Sequence, residues 1–153
     1  MKKIFLIIIF LFLNSCGFTP IYSSKDSNYR IIEFNKNVNN NLTNYIQNSV
    51  IVLSNEKSNK SFNINLEFNE SISVILKDSK GDPNKNRLTI DINLIVMSDI
   101  GNLITSKEFS ESFEYNITDN KFDTKEYEKN IKFNLIEDIT QQILIFLANL
   151  KWF

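Results

Sequence analysis

Two periods divide this chain. Phe62, Ile64, Leu66 and Phe68 alternate with Asn63, Asn65 and Glu67, and the alternation resumes at Ile72, Val74 and Leu76. A period of two puts these apolar side chains on one face, which predicts a half-buried strand with one wet face. Leu88, Ile90, Ile92, Leu94 and Val96 alternate with Thr89, Asp91 and Asn93 and predict another. Gly81-Asp82-Pro83-Asn84 lies between them as a dense turn signal, so the two strands should form a long hairpin. Asp99-Ile100-Gly101-Asn102 marks the next reversal. A third strand then runs over about residues 103–117, with Phe109, Phe113, Tyr115 and Ile117 on one side.

Helical spacing flanks this strand-rich centre. Leu42, Tyr45, Ile46, Ser49, Val50 and Leu53 share one helical face and predict a helix over about 42–53. Before it, residues 29–34 with Ile31 and Ile32 read as a short strand, and the Asn-rich stretch 35–41 offers several N-caps. Tyr127, Ile131, Leu135, Ile136, Ile139, Ile143, Phe146, Leu147 and Leu150 predict a second helix over about 124–150. Asp123 with Glu126 reads as its N-cap pair. The order is β-α-β-β-β-α. Alternating strands need one covered face, and two amphipathic helices can cover it. The predicted fold is therefore α+β: a two-layer sandwich, two helices packed on one face of a mostly antiparallel four-stranded sheet. That domain spans 29–153, after a segment 1–15 and a linker 16–28.

The N-terminus has a different character. Met1-Lys2-Lys3 precedes residues 4–13, ten positions with no polar side chain, and Asn14-Ser15-Cys16-Gly17 follow. The run suits the apolar region of a signal peptide, typically about 7–15 residues, and falls short of the ~20 that a spanning helix needs. Leu13-Asn14-Ser15-Cys16 resembles a bacterial lipobox. That resemblance implies cleavage before Cys16, a diacylglycerol thioether on its sulfur and acylation of the new amine. Three acyl chains anchor stably where one binds only marginally, each buried methylene contributing about 0.8 kcal/mol. By the sorting rule for such lipoproteins, Gly17 in place of Asp favours the outer membrane.

Composition narrows the chemistry. The sequence has 153 residues, 42% hydrophobic and 23% charged, enough for one core. It holds no His, one Cys and three Gly, at positions 17, 81 and 101. Histidine-dependent catalysis, a zinc-thiolate cage, an intramolecular disulfide and a phosphate-cradling glycine loop are thereby excluded. No catalytic residue, cofactor or metal ligand set is implied. Loss of Lys2 and Lys3 with the signal leaves fifteen cations against eighteen acids, a mature charge of −3, which gives no footprint for nucleic acid. Asn fills 23 positions; with abundant Ile and Lys this reads as AT-rich coding bias.

Cys16-Gly17-Phe18-Thr19-Pro20-Ile21-Tyr22 resembles the Cys-Gly-Phe-x-Pro-Leu-Tyr start of lipopolysaccharide-assembly lipoproteins, the LptE family. The chain's size, its central hairpin and a late helix starting near residues 127–130 are similar to that family as well. The resemblance implies two helices on a four-stranded sheet and no catalysis. It also implies a lipid-anchored place on the periplasmic side of the outer membrane, inside the LptD β-barrel as a plug and assembly aid, with lipopolysaccharide as ligand. A different outer-membrane lipoprotein, such as a pilotin-like or transporter-accessory adaptor, stays open as the alternative.

Apart from Cys16, the candidate site lies in the hairpin loop. Lys77, Lys80, Lys85 and Arg87 are the densest basic cluster of the mature chain and could pair with lipid A phosphates, Arg87 in bidentate fashion. Asp78 and Asp82 dilute that charge, and a solvated hairpin tip is the plainer reading. The segment 143–153 is either core with a frayed tail or a helix end offering Trp152 and Phe153 to a partner. Glu108 with Glu111 reads as a solvated carboxylate pair.

Overall fold

In the computed structural model, which describes residues 29–118 and 120–150, the first long alternation is β2, Ser61–Lys77. It joins β3, Pro83–Ser98, in the expected hairpin, and β4, Leu103–Asn116, follows after the second reversal. Both turns need the left-handed region. Gly81 has φ 89° and Gly101 φ 85°, conformations that side chains with a Cβ rarely adopt. The strand before the helix is β1, Arg30–Lys36. The helices are α1, Asn41–Ile51, and α2, Lys121–Ala148. The sheet order is β1-β2-β3-β4.

The two hairpins are antiparallel, with Ile64 opposite Val96 and Ile92 opposite Phe109. β1 pairs parallel to β2, Arg30 opposite Ser61 and Lys36 opposite Leu66. Parallel neighbours need a crossover, and α1 supplies it. A bulge between Ile31 and Glu33 turns Ile32 outward. The ladder ends at Asn37. Its backbone N–H donates to the Leu66 carbonyl, its side-chain oxygen accepts from the Phe68 N–H at 2.9 Å, and its amide donates to the Phe68 carbonyl at 3.1 Å. One asparagine side chain thus mimics a further rung of strand.

Both helices pack on the face that carries Phe62, Ile64, Leu66, Leu88, Ile90, Ile92, Leu94 and Val96, all essentially inaccessible. Ile46 and Val50 of α1 and Ile136, Ile139, Ile143 and Leu147 of α2 close the layer. Each such side chain contributes about 1.5–3 kcal/mol by leaving water. α1 starts on a capping box. The Asn40 side chain accepts from the Thr43 N–H while the Thr43 hydroxyl accepts from the Asn40 N–H.

Four expectations need correction. α2 begins at Lys121 with Asn120 as N-cap, not at Asp123; the Asn120 side chain accepts from the Phe122 N–H, and Asp123 takes an amide hydrogen of Asn120. The predicted apolar face of β2 is buried only through Phe68; Ile72, Val74 and Leu76 are about half exposed, because at this level α2 covers β4, where Tyr115 meets Tyr127, and leaves the outer edge of β2 open. Phe113 and Tyr127 are also largely exposed, although each sits on a predicted apolar face. Glu108 and Glu111 stand three apart on a strand and so point to opposite faces; Glu111 accepts from Gln142 of α2 at 2.6 Å. The segment 1–15, the linker 16–28 with Cys16, and Trp152 with Phe153 lie outside the described residues.

Candidate functional site

The basic candidates surround the β2–β3 turn. Asp78 organises that turn: its carboxylate accepts from the backbone N–H groups of Lys80 at 2.8 Å and Asp82 at 2.9 Å. Its own N–H donates to the Asp82 carbonyl, and Gly81 N–H returns to the Asp78 carbonyl. The acid expected only to dilute the local charge is therefore a turn-former. Lys77 and Lys80 project from this turn, both exposed, and neither makes an ion pair among the described residues.

Lys85 and Arg87 behave differently. β4 places Glu114 directly across from Arg87, on the face away from the helices. Its carboxylate takes Lys85 Nζ at 2.7 Å and Arg87 Nη2 at 2.6 Å. Hydrogen bonds from Lys85 and then Arg87 hold the Glu114 carboxyl below the usual carboxylate range. The four candidate cations thus split into two free lysines at the tip and two cations engaged by one glutamate. Glu114 was missed in the sequence because it lies 27 residues from Arg87. The β3–β4 register, counted back from the turn at 99–102, could have found it.

A second basic feature follows from helical spacing. Lys125, Lys129 and Lys132 recur at helical spacing on α2. They line a groove of about 730 Å³ together with Asn41, Leu42, Glu70 and Phe133. Lys132 Nζ meets Glu70 at 2.5 Å, whereas Lys125 and Lys129 make no ion pair among the described residues. Phe133 stacks on Tyr45 of α1 with centroids 5.2 Å apart, which fixes the groove's helical wall.

The uncovered sheet face is polar and ordered across strands. Asn93 Nδ2 donates to Glu67 at 2.9 Å, Ser106 Oγ to Asn93 at 2.9 Å, and Ser110 Oγ to Asp91 at 2.6 Å. At the other end of the molecule, Ile143 and Leu147 are core and Phe146 packs edge-on to Phe109 at 5.9 Å. Lys107 Nζ lies over both rings, about 5 Å from each centroid. The described part of the 143–153 segment is thus mainly core. No helix among the described residues is long and apolar enough to cross a membrane.

No protein-family model matches the chain, and no curated protein matches it. Solved structures do. The rare lipoprotein B of Shewanella oneidensis shares the fold with TM-score 0.57 and 10% identity, over 78% of this chain and 97% of that one. A minor lipoprotein from Acinetobacter baumannii matches with TM-score 0.60 and 13% identity, over 78% of this chain and 91% of that one. A lipoprotein B from Nitrosomonas europaea matches with TM-score 0.61 and 14% identity, over 80% and 83% of the two chains. At such identities the likeness is one of fold.

Proposed function

We propose that this chain is an outer-membrane lipoprotein of the lipopolysaccharide translocon, held to the periplasmic side by acyl groups on Cys16. It plugs a large β-barrel of the LptD type and assists the barrel's assembly, as a member of the LptE family. One conjunction carries this reading: a fold shared with bacterial lipoproteins stands directly behind a Cys-Gly-Phe-Thr-Pro-Ile-Tyr start. The role is structural and binding, without catalysis. A polar sheet face tied across its strands by side-chain hydrogen bonds suits a body enclosed by a barrel wall.

Lipopolysaccharide is the proposed ligand, and the hairpin tip its phosphate contact. Lys77 and Lys80 are the principal cations, because Glu114 already neutralises part of the charge on Lys85 and Arg87. A lysine near an anionic lipid surface contributes roughly 1 kcal/mol. Replacing Lys77, Lys80, Lys85 and Arg87 together by Ala should abolish most lipopolysaccharide binding. Lys77→Ala with Lys80→Ala should cost more than Lys85→Ala with Arg87→Ala. Unchanged affinity in the fourfold variant would discard the site. Mass spectrometry of the membrane-bound protein tests the anchor: an unmodified Cys16 thiol would exclude it.

A further inference from the structure

Three strands of the sheet present an open backbone edge: β1, β4, and β2 beyond the end of β1. Open edges are templates for another strand, and folded proteins guard them with charge, proline or shortness. β1 is short and carries Arg30, Glu33 and Lys36. β4 carries Lys107, Glu108, Glu111 and Glu114. Residues 71–76 of β2 read Ser-Ile-Ser-Val-Ile-Leu, with no charge and no proline. Ile72, Val74, Ile75 and Leu76 are between 39% and 54% exposed. Up to Val74 this edge carries none of those guards, and the register shifts in its pairing with β3 begin only beyond Val74.

Its hydrogen-bonding pattern is set by the rung before it. Leu66 and Phe68 turn their backbone groups toward β1, where Asn37 meets them. Backbone direction alternates along a strand, so Glu70, Ile72 and Val74 turn N–H and C=O outward in the same sense. Beyond Asn37, no strand among the described residues pairs with them.

The surroundings select the occupant. Side chains of an added strand on the helix side would enter the groove of about 730 Å³ beside Glu70, where Leu42 and Phe133 offer apolar contact. Two carboxylates line the groove with three lysines: Glu70 takes Lys132, and Glu128 is turned to the Tyr115 hydroxyl at 2.5 Å, so Lys125 and Lys129 stand there without ion pairs among the described residues. A second copy of the chain would bring no spare carboxylate on this edge, since its Glu70 is engaged in the same way. Residues 16–28 contain one acid, Asp26, beside Lys25.

We propose that the edge of β2 over residues 70–74 is a strand-addition site for an extended acidic segment of a partner polypeptide, with alternate carboxylates reaching Lys125 and Lys129. Main-chain bonds supply affinity in this mode, and alternate side chains supply specificity. The site stands on geometry independent of the lipid and barrel reading above.

The probe is the acetylated, amidated heptapeptide Val-Glu-Val-Glu-Val-Glu-Val, added to the full mature chain in detergent micelles and followed by amide hydrogen exchange. The peptide should slow exchange at Glu70, Ile72 and Val74 at least tenfold. Ile72→Pro deletes one outward donor and no sheet hydrogen bond, so the fold should persist and peptide affinity fall at least tenfold. Lys125→Glu with Lys129→Glu, which leaves the sheet untouched, should likewise abolish binding. Three results would overturn the proposal: no slowing at those amides, equal binding of the matching Val-Lys peptide, or slow exchange there before any peptide is added. The last would mean that a second copy or residues 16–28 already occupy the edge.

Discussion

Two buried tyrosines tie the sheet to its surroundings. Tyr29 packs its ring on Phe62 with centroids 5.0 Å apart, and Tyr115 donates its hydroxyl to Glu128 of α2 at 2.5 Å. Burial pushes the Tyr29 phenol from 10 up to about 12. Burial, and then the bond to Glu128, do the same for Tyr115. The folded values exceed the unfolded one, so the contribution of each is complete below pH 10 and is lost as pH rises toward 12. Denaturant melts at successive pH values should show stability falling over that window, and Tyr115→Phe should make the fall shallower. The same substitution should cost about 1.5–3 kcal/mol at neutral pH, because it leaves a carboxylate without its donor. A second test concerns Glu114. Glu114→Gln weakens the hold on Lys85 and Arg87 and should raise lipopolysaccharide affinity while leaving the melting temperature unchanged, since the pairs are exposed.

Elements were legible wherever one period ran uninterrupted over a buried face. Phe62 to Phe68 and Leu88 to Val96 alternate in the sequence and are buried in the structure for the same reason: both helices lie over them. The misreading came where the period continued and the cover did not. Ile72, Val74 and Leu76 have the pattern of core residues, but alternation records which side chains share a face, not whether another layer reaches it. Lysine substitution separates the two halves. Ile72→Lys should change stability by less than about 0.5 kcal/mol, as for other exposed positions, whereas Ile90→Lys should unfold the domain by burying an unpaired charge. The N-cap of α2 was misplaced because Asp123 and Asn120 are both good caps, and only backbone geometry decides between them. At α1 the chemistry was readable but the position was not: several Asn residues compete, and Asn40 prevails through its reciprocal bonds with Thr43. Asn40→Ala should cost about 1 kcal/mol by thermal melt.

The whole molecule is a two-helix cover on one side of a four-stranded sheet, with a polar face opposite and a long hairpin reaching beyond the cover. The order of elements and the layer arrangement followed from pattern alone. The parallel pairing of β1 did not, because nothing in seven residues specifies direction. The candidate site was legible only as a count of cations. Which of them are free depends on Glu114, brought in by a neighbouring strand, and charge on the chain does not reveal pairing in space. The proposed lipid anchor at Cys16 rests on the sequence motif, and the proposed barrel partner on the resemblance of residues 16–22. The most direct measurement is purification of the native protein from the membranes of its own cell in mild detergent, followed by intact-complex mass determination. The expected result is a one-to-one complex with a β-barrel several times its mass, from which the acylated chain does not dissociate on washing. Recovery of the chain alone, or with inner-membrane transporter subunits only, would contradict the plug and favour an adaptor role.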